Sequence, residues 1–225
     1  MSVKVKICGV KSEAALAAAL EGGADYVGFV FYPPSPRSLS PAEAGRLAAA
    51  ARGKARIVAL FVDPDDELLA EVMGALGPDL IQLHGTETPE RVAEIHRRWG
   101  RPVMKAVSIA TQADAEDALR FADIADLLLF DAKAPPDLKD ALPGGNGITF
   151  DWRILSGMTG RVPFMLSGGL NPENVAEAIR LTGAQMVDVS SGVEAKPGEK
   201  DPQLIRRFLA AVKRDAAKAE MKGSA

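Results

Sequence analysis

Short, largely apolar runs alternate with longer stretches of helical character along the chain, and this alternation predicts eight strand–helix units. The predicted strands occupy residues 3–7, 25–31, 56–62, 79–83, 102–107, 126–130, 164–166 and 186–189. Several of these runs, such as DLLLF at 126–130, are almost entirely apolar. Apolar runs of this length are typical of parallel strands whose two faces are both buried beneath helices.

The stretches between the strands carry the sequence signals of helix ends. Ser40, followed by Pro41 and Glu43, has the pattern of a capping box at a helix start. Asn171 and Pro172 predict the start of a later helix, as N-cap and first helical residue. The predicted helices are 11–21, 41–51, 66–76, 88–99, 112–121, 151–156, 172–182 and 201–212.

The regular alternation, with no break in composition, predicts one α/β domain over residues 1–225, built as a single (β/α)8 TIM barrel. An open, doubly wound sheet is the alternative, but no G-x-G-x-x-G fingerprint follows the first strand. The irregular segment 132–149 is rich in proline and glycine, and we expect it to be a mobile cover over a substrate. Residues 214–225 are expected to form a frayed tail.

Two turns at the ends of consecutive strands point to a bound phosphate. Gly168 and Gly169 follow the seventh predicted strand, and Ser190, Ser191 and Gly192 follow the eighth. Small residues leave backbone amides free to approach an anion, and these two turns are where phosphate commonly binds in such barrels. If only one such turn were present, its glycines would be explained by the tight turn alone. Two in tandem favour the phosphate.

The composition of the chain argues against several classes of binding partner. A hydrophobic share of 47%, a charged share of 25% and a net charge of −3 are typical of a globular protein without affinity for nucleic acid or an acidic membrane. No apolar run is long enough to span a membrane, and no signal-peptide pattern opens the chain. The single cysteine fits a reducing cytoplasm. Two histidines and that cysteine form no metal-binding spacing, so no metal is expected, and carboxylates binding magnesium are the alternative.

In a barrel of this kind the chemistry lies at the carboxyl ends of the strands. There the sequence places Cys8, Tyr32, Asp63, His84, Ser108, Asp131 and Asp188, with Arg37 in the loop after the second strand. Cys8 is either a small buried apolar residue or, as a thiolate, a base. Asp131 is either a loop cap or a partly desolvated proton donor.

Arg37 and His84 are similarly open to two interpretations. Arg37 is either a solvated loop residue or a bidentate partner for a carboxylate. His84 either contacts a ligand or is a hydrogen-bonded structural histidine, and Asp63, before Pro64, is expected to be a turn residue.

Seven segments of the chain form a distinctive set: KICGV at 6–10, GADYVGFVFYPPSPRSLSP at 23–41, QLHG at 82–85, LLFD at 128–131, GGNGITFDW at 144–152, LSGGLNPENV at 166–175 and VDVSSGVEAKPGEKD at 187–201. Together they resemble the phosphoribosylanthranilate isomerase family of tryptophan biosynthesis. The resemblance covers nearly the whole chain in the family's order. It implies an Amadori rearrangement of N-(5′-phosphoribosyl)anthranilate on a (β/α)8 barrel, without a cofactor, by an enzyme that is a monomer or a homodimer.

The resemblance also implies roles for individual residues. Cys8 would be the general base and Asp131 the general acid. Arg37 and His84 would contact the substrate, Arg37 at its anthranilate part, and Asp188 would hold substrate or an intermediate. Backbone groups around Gly168, Gly169, Ser191 and Gly192 would bind the phosphate. One departure is Ile148, where the family usually has a lysine.

Two other functions compete with this one. The related isomerase of histidine synthesis performs the same rearrangement, but its first strand ends in an aspartate and it has phosphate sites in both halves. A non-catalytic barrel that senses phosphosugars would need no acid and base. Cys8 at the end of the first strand disfavours the former, and the presence of both Cys8 and Asp131 disfavours the latter.

Overall fold

The computed structural model describes residues 3–135 and 142–223, with the backbone alone for 215–223. Eight parallel strands form a closed barrel in chain order: β1 Lys4–Cys8, β2 Tyr26–Phe31, β3 Arg56–Phe61, β4 Leu80–Leu83, β5 Val103–Ile109, β6 Leu127–Ala132, β7 Phe164–Leu166 and β8 Met186–Val189. β8 pairs with β1, which closes the ring. The predicted TIM barrel is confirmed, and the open-sheet alternative is wrong.

Helices cover the outside of the barrel: α1 Glu13–Glu21, α2 Pro41–Ala51, α3 Asp66–Leu76, α4 Pro89–Trp99, α5 Gln112–Asp117, α6 Val175–Thr182 and α7 Pro202–Gly223. Short 3-10 turns lie at Ala118–Phe121, Trp152–Leu155 and Ser191–Val193, and a small hairpin joins β9 Glu194–Lys196 to β10 Glu199–Lys200. The capping box of α2 is confirmed, because Ser40 and Glu43 each accept the other's backbone N–H.

Some element ends differ from the prediction. α6 begins at Val175, not 172, because the Asn171 side chain accepts the amides of Glu173 and Asn174 and closes a separate turn before the helix. β6 runs on to Ala132, so Asp131 lies inside the strand and not after it. The helix predicted at 151–156 is a 3-10 turn at Trp152–Leu155. α7 continues to Gly223, beyond the predicted end at 212, and fraying of 214–225 stays a prediction.

The core has two parts, separated by the sheet. The larger packs the outer faces of the strands against the helices, and it includes Ile7, Phe29, Phe61, Phe130 and Phe208. Inside the barrel, an apolar layer of Tyr26, Val58, Leu80, Met104, Ala106, Leu127, Leu129 and Met165 fills the interior. Cys8, Val30 and Leu60 form a third, smaller cluster. The part of the chain that the structure describes contains no helix long and apolar enough to cross a membrane.

At the amino-terminal end of the barrel one hydrogen-bonding device occurs three times. Asp25, Asp79 and Asp126 each precede a strand, and each accepts a backbone N–H from the first or second residue of the neighbouring strand at 2.8 Å. The donors are Val5, Ile57 and Val103. The same aspartates donate their own N–H to the carbonyl groups of these three residues. Each aspartate therefore joins the starts of two neighbouring strands by a pair of hydrogen bonds. These bonds lie at the opposite end of the barrel from the expected active site.

We predict that Asp79→Ala destabilises the barrel by about 1 kcal/mol without changing turnover, because the Ile57 amide loses a charged acceptor. Urea unfolding measures the change. Asp123→Ala is the matched control, since Asp123 is exposed and accepts no hydrogen bond from the residues described. An equal loss of stability in both variants would contradict the prediction.

Candidate active site

A cavity opens at the carboxyl ends of the strands, and most of the predicted site residues line it. Its walls include Cys8, Arg37, His84, Asp131, Gly168, Gly169, Asp188 and Ser191, and its empty space, open mouth included, is about 730 Å³. Gly192, the residue after Ser191, does not line the cavity. Parallel strands in a barrel all end on the same side, which is why residues far apart in the sequence meet here.

Cys8 is the last residue of β1 and is 4% exposed. Its strand partner is Gly28 on β2, and a Cβ atom added to Gly28 would lie 3.2 Å from the Cys8 Sγ. Burial raises the pKa of the Cys8 thiol and Asp188 raises it further, whereas the Lys6 and Lys200 ammonium groups act to lower it. The free protein therefore favours the thiol over the thiolate at neutral pH.

Lys6 is a buried charge that the sequence analysis did not identify. It lies two residues before Cys8 on the same face of β1, is 0% exposed, and its Nζ donates to Asp188 Oδ1 at 2.9 Å. Burial acts to lower the pKa of Lys6, but Asp188 and Cys8 outweigh it and the pKa is raised. The signal available in the sequence was a lysine at an inward position of a buried strand.

Asp131 and His84 lie next to each other in the wall of the cavity. Asp131 Oδ1 accepts the Ala132 amide at 2.9 Å, and Oδ2 lies 3.3 Å from His84 Nε2. The other ring nitrogen of His84, Nδ1, lies 3.0 Å from the Gln82 side-chain nitrogen, and Gln82 is completely buried. His84 thus lines the cavity and also contacts the carboxyl group of Asp131. Gln82, which orients His84, was not predicted.

The described end of the long loop, residues 142–149, packs onto these side chains. Leu142 and Asn146 close a turn through two hydrogen bonds of 3.1 and 2.7 Å. A Cβ atom on Gly144 would lie 2.6 Å from both Asp131 Oδ2 and His84 Nε2, so the backbone rests directly against the pair. Residues 136–141 of the predicted 132–149 cover lie outside the described residues.

Arg37 is held by a hairpin that the sequence analysis did not connect with it. Its Nε and Nη2 donate to the two carboxylate oxygens of Glu194 at 2.8 and 2.9 Å, and Nη2 also donates to the Gly145 carbonyl at 3.0 Å. Lys200 contacts Glu194 from the other strand of the hairpin. Burial acts to raise the pKa of Glu194, but Arg37 and Lys200 lower it to about 2. Within the described chain, Nη1 of Arg37 has no hydrogen-bond partner.

The two glycine-containing turns after β7 and β8 lie against each other. Gly168 and Gly169 have φ angles of 86° and 63°, a region that side chains disfavour. A Cβ atom on Gly192 would collide with the Leu170 carbonyl oxygen, and one on Gly169 would lie 2.7 Å from the Ile148 backbone. The close packing of the turns accounts for these glycines, and no acceptor for the Gly168 and Gly169 amides occurs in residues 3–135 or 142–223.

The remaining strand-end residues lie around the rim. Tyr32 lines the cavity, and Asp63 is the turn residue that the sequence predicted, accepting the Thr86 amide at 2.7 Å. Ser108 lies inside β5 and does not reach this cavity. Among the residues described, no group of three or more His, Cys, Asp or Glu side chains is arranged to hold a metal ion.

Comparison with known proteins gives one consistent result. The family model for N-(5′-phosphoribosyl)anthranilate (PRA) isomerase matches residues 5–211. The N-(5′-phosphoribosyl)anthranilate isomerase of Mesorhizobium japonicum is 54% identical over 213 residues, which cover 95% of this chain and 96% of that protein.

Two solved structures resemble this one closely. The phosphoribosyl anthranilate isomerase of Thermotoga maritima has a TM-score of 0.84 and 38% identity, covering 94% of this chain and 99% of that one. A phosphoribosyl anthranilate isomerase in complex with reduced 1-(o-carboxyphenylamino)-1-deoxyribulose 5-phosphate has a TM-score of 0.81 and 37% identity, with the same coverage.

Proposed function

Because this chain belongs to the N-(5′-phosphoribosyl)anthranilate isomerase family, we propose that its cavity performs the isomerisation with Cys8 as base and Asp131 as acid. The protein is an isomerase of tryptophan biosynthesis that converts N-(5′-phosphoribosyl)anthranilate to 1-(2-carboxyphenylamino)-1-deoxyribulose 5-phosphate. The assignment of roles within that reaction is the proposal.

The observation that carries the proposal is that Cys8 and Asp131 line the same cavity from different sides of the barrel. Cys8 ends β1 and Asp131 lies near the end of β6, three strands away around the ring through β8 and β7. A ribose between them would have a thiol on one side and a carboxyl group on the other. This suits a reaction that takes a proton from carbon and delivers another to oxygen.

The first step opens the ribose ring. Asp131 donates a proton to the ring oxygen while the C1′–O bond breaks, and the nitrogen lone pair forms the C1′=N bond of a protonated Schiff base. Asp131 is left as a carboxylate that still accepts the Ala132 amide and faces His84. These two contacts hold its orientation, which is the part of general acid catalysis that the fold supplies.

The second step makes the enolamine. The Cys8 thiolate removes the C2′ proton, the C–H electrons form the C1′=C2′ bond, and the nitrogen becomes neutral. The enolamine then gains a proton at C1′ and loses one from its C2′ hydroxyl, which gives the ketone. One proton enters at each of the ring oxygen and C1′, and one leaves from each of C2′ and its hydroxyl, so the protons balance.

Arg37 is the proposed partner of the anthranilate carboxylate. Glu194 and Gly145 already accept from its Nε and Nη2, which leaves Nη1 for a ligand and fixes the plane of the guanidinium. An arginine oriented before binding loses less conformational entropy when a carboxylate arrives. Asp188, on the same wall as Cys8, is the proposed acceptor for a substrate hydroxyl or amine.

The phosphate is proposed to bind the backbone amides of the two turns, at Gly168, Gly169, Ser191 and Gly192. The support is that these turns meet at the cavity and carry glycine and serine in place of lysine. Ile148, where the family usually has a lysine, also lines the cavity, so the described loop end brings no cation there.

We predict that Gly169→Ala raises KM about tenfold with a smaller effect on kcat, and weakens inhibition by inorganic phosphate to the same extent. The added Cβ would meet the Ile148 and Thr149 atoms that pack on this turn. Gly53→Ala is the control, because Gly53 also has a positive φ, 74°, but has open space around it. An unchanged inhibition constant for phosphate in Gly169→Ala would refute the phosphate assignment.

The activity itself is tested with phosphoribosylanthranilate generated in situ. We expect loss of the substrate and appearance of the ribulose product at a rate proportional to the amount of protein. Absence of any product from the folded protein would refute the assignment.

We also propose that the enzyme is cytoplasmic and acts as a monomer or a homodimer on a small phosphoribosyl substrate. Cys8 is a free cysteine, and a catalytic thiol stays reduced in a reducing compartment such as the cytoplasm. Cell fractionation and sedimentation equilibrium test the location and the number of subunits.

A further inference from the structure

We infer that Lys6 is a positioning residue for the base: its buried ammonium, set between Asp188 and Cys8, holds the Cys8 thiolate inside the barrel. Lys6 does not line the cavity, so it acts on the substrate only through its neighbours. The inference rests on the proposed role of Cys8 and deepens it.

Strand geometry brings the three side chains together. Lys6 and Cys8 are two residues apart on β1 and point to the same side, and Lys6 is the register partner of Asp188 on β8. A Cβ atom on Gly28 would lie 3.2 Å from Cys8 Sγ and 3.2 Å from Lys6 Cε. The thiol and the lysine stem therefore pack side by side over the same glycine, and Gly28 provides the room.

The ammonium group of Lys6 donates to fewer acceptors than that of Lys105. Lys105 is the other buried lysine of the barrel strands, and its Nζ donates to Glu87 and to the carbonyl groups of Leu83, Gly85 and Ala106. Lys6 Nζ has one oxygen acceptor among the described residues, Asp188 Oδ1.

An ammonium has three donors, and buried donors are costly when unpaired. The sulfur of Cys8 is the adjacent acceptor, and a thiolate accepts far better than a thiol. Lys6 thus gains a partner when Cys8 ionises, and the Lys6 charge stabilises the form of Cys8 that removes a proton.

The charges around Cys8 act in opposite directions. The charged and titratable groups that face it are Lys6 from β1, Asp188 from β8, Lys200 from the hairpin, Arg37 and Tyr32 from the loop after β2, and Asp131 and His84 across the cavity. Burial raises the pKa of Cys8, Lys6 and Lys200 lower it, and Asp188 raises it. Replacing Lys6 and replacing Asp188 should therefore shift the ionisation of Cys8 in opposite senses.

The single cysteine of the chain makes this measurable without turnover. The rate of alkylation by iodoacetamide, followed against pH, reports the thiolate fraction of Cys8. In Lys6→Met we expect the midpoint to rise by about one pH unit or more. Then kcat/KM near neutral pH should fall about tenfold or more and recover as the pH is raised. Lys6→Arg keeps the charge and should keep the midpoint close to wild type.

Lys105→Met is the matched control, because it also removes a buried lysine from an ion pair but leaves Cys8 untouched. Its melting temperature should fall, while the alkylation midpoint should stay at the wild-type value. Asp188→Asn should lower the midpoint. If Lys6→Met does not fold, Asp188→Asn and Lys6→Arg decide the question by the same assay.

An unmoved midpoint in folded Lys6→Met, or in Asp188→Asn, would overturn the inference. So would a loss of activity in Lys6→Met that is equal at every pH. Such results would leave Cys8 as the base, since that role is tested separately by turnover in variants of Cys8 itself.

Discussion

Replacing Cys8 with alanine should abolish turnover, with kcat falling about 10³-fold or more while KM changes little. The proposed base removes a proton from carbon, and general base catalysis of this kind contributes about 10²–10⁴-fold. Alanine has no group that can take the proton. Cys8 is buried against Val30 and Leu60, which do not depend on sulfur for their packing, so the variant should fold. Steady-state kinetics with phosphoribosylanthranilate generated in situ gives both constants.

Cys8→Ser completes the test because it keeps the shape of the side chain. A serine hydroxyl ionises far above neutral pH, so kcat should fall by a similar factor even though a polar group remains. Affinity for a reduced product analogue should stay near wild type in both variants. Near-wild-type turnover in Cys8→Ala would show that Cys8 is only a packed core residue, and the mechanism would fail.

The pH dependence has a definite sign. Burial, with Asp188 adding to it, raises the pKa of Cys8, and the thiolate is the proposed active form. The wild-type kcat/KM should therefore increase with pH through the neutral range until Cys8 is fully ionised. The residual activity of Cys8→Ser should lack this acidic limb. A wild-type profile that is flat from pH 6 to about pH 9 would contradict Cys8 as the titrating base.

Asp131→Asn is the second large effect, with kcat expected to fall about 10²–10⁴-fold at nearly constant KM. Asparagine keeps an oxygen that can accept the Ala132 amide, so the local structure should persist, but it has no proton to transfer to the ring oxygen. Circular dichroism and binding of a product analogue separate a loss of chemistry from a loss of folding.

Asp63→Asn is the control for Asp131→Asn. Asp63 lies two residues after β3 and, like Asp131, accepts a backbone amide, that of Thr86, but it does not line the cavity. Asparagine tolerates the positive φ of 45° at this position, so activity should remain close to wild type. A similar loss of kcat in both variants would show that any strand-end aspartate disturbs the enzyme, which would remove Asp131 as a specific acid.

The local pattern of the chain was enough to predict most of the fold. The bounds of α3, β7 and β8 agree with the prediction, because short apolar runs and capping residues act within a few residues of each other. Counting eight strand–helix units led to the barrel, and the rule that its strands end on one side led to Cys8 and Asp131. These inferences needed only sequence order and periodicity.

The tertiary structure alone decided how the site residues are paired. Lys6 and Asp188 are 182 residues apart, and Arg37 and Glu194 are 157 apart. The first pair forms because β8 closes on β1, and the second because the β9–β10 hairpin brings Glu194 to the loop after β2. Neither partner is marked by local propensity or spacing. Which charge faces which, and therefore how Cys8 ionises, follows from the register of the closed barrel, a property of the whole chain.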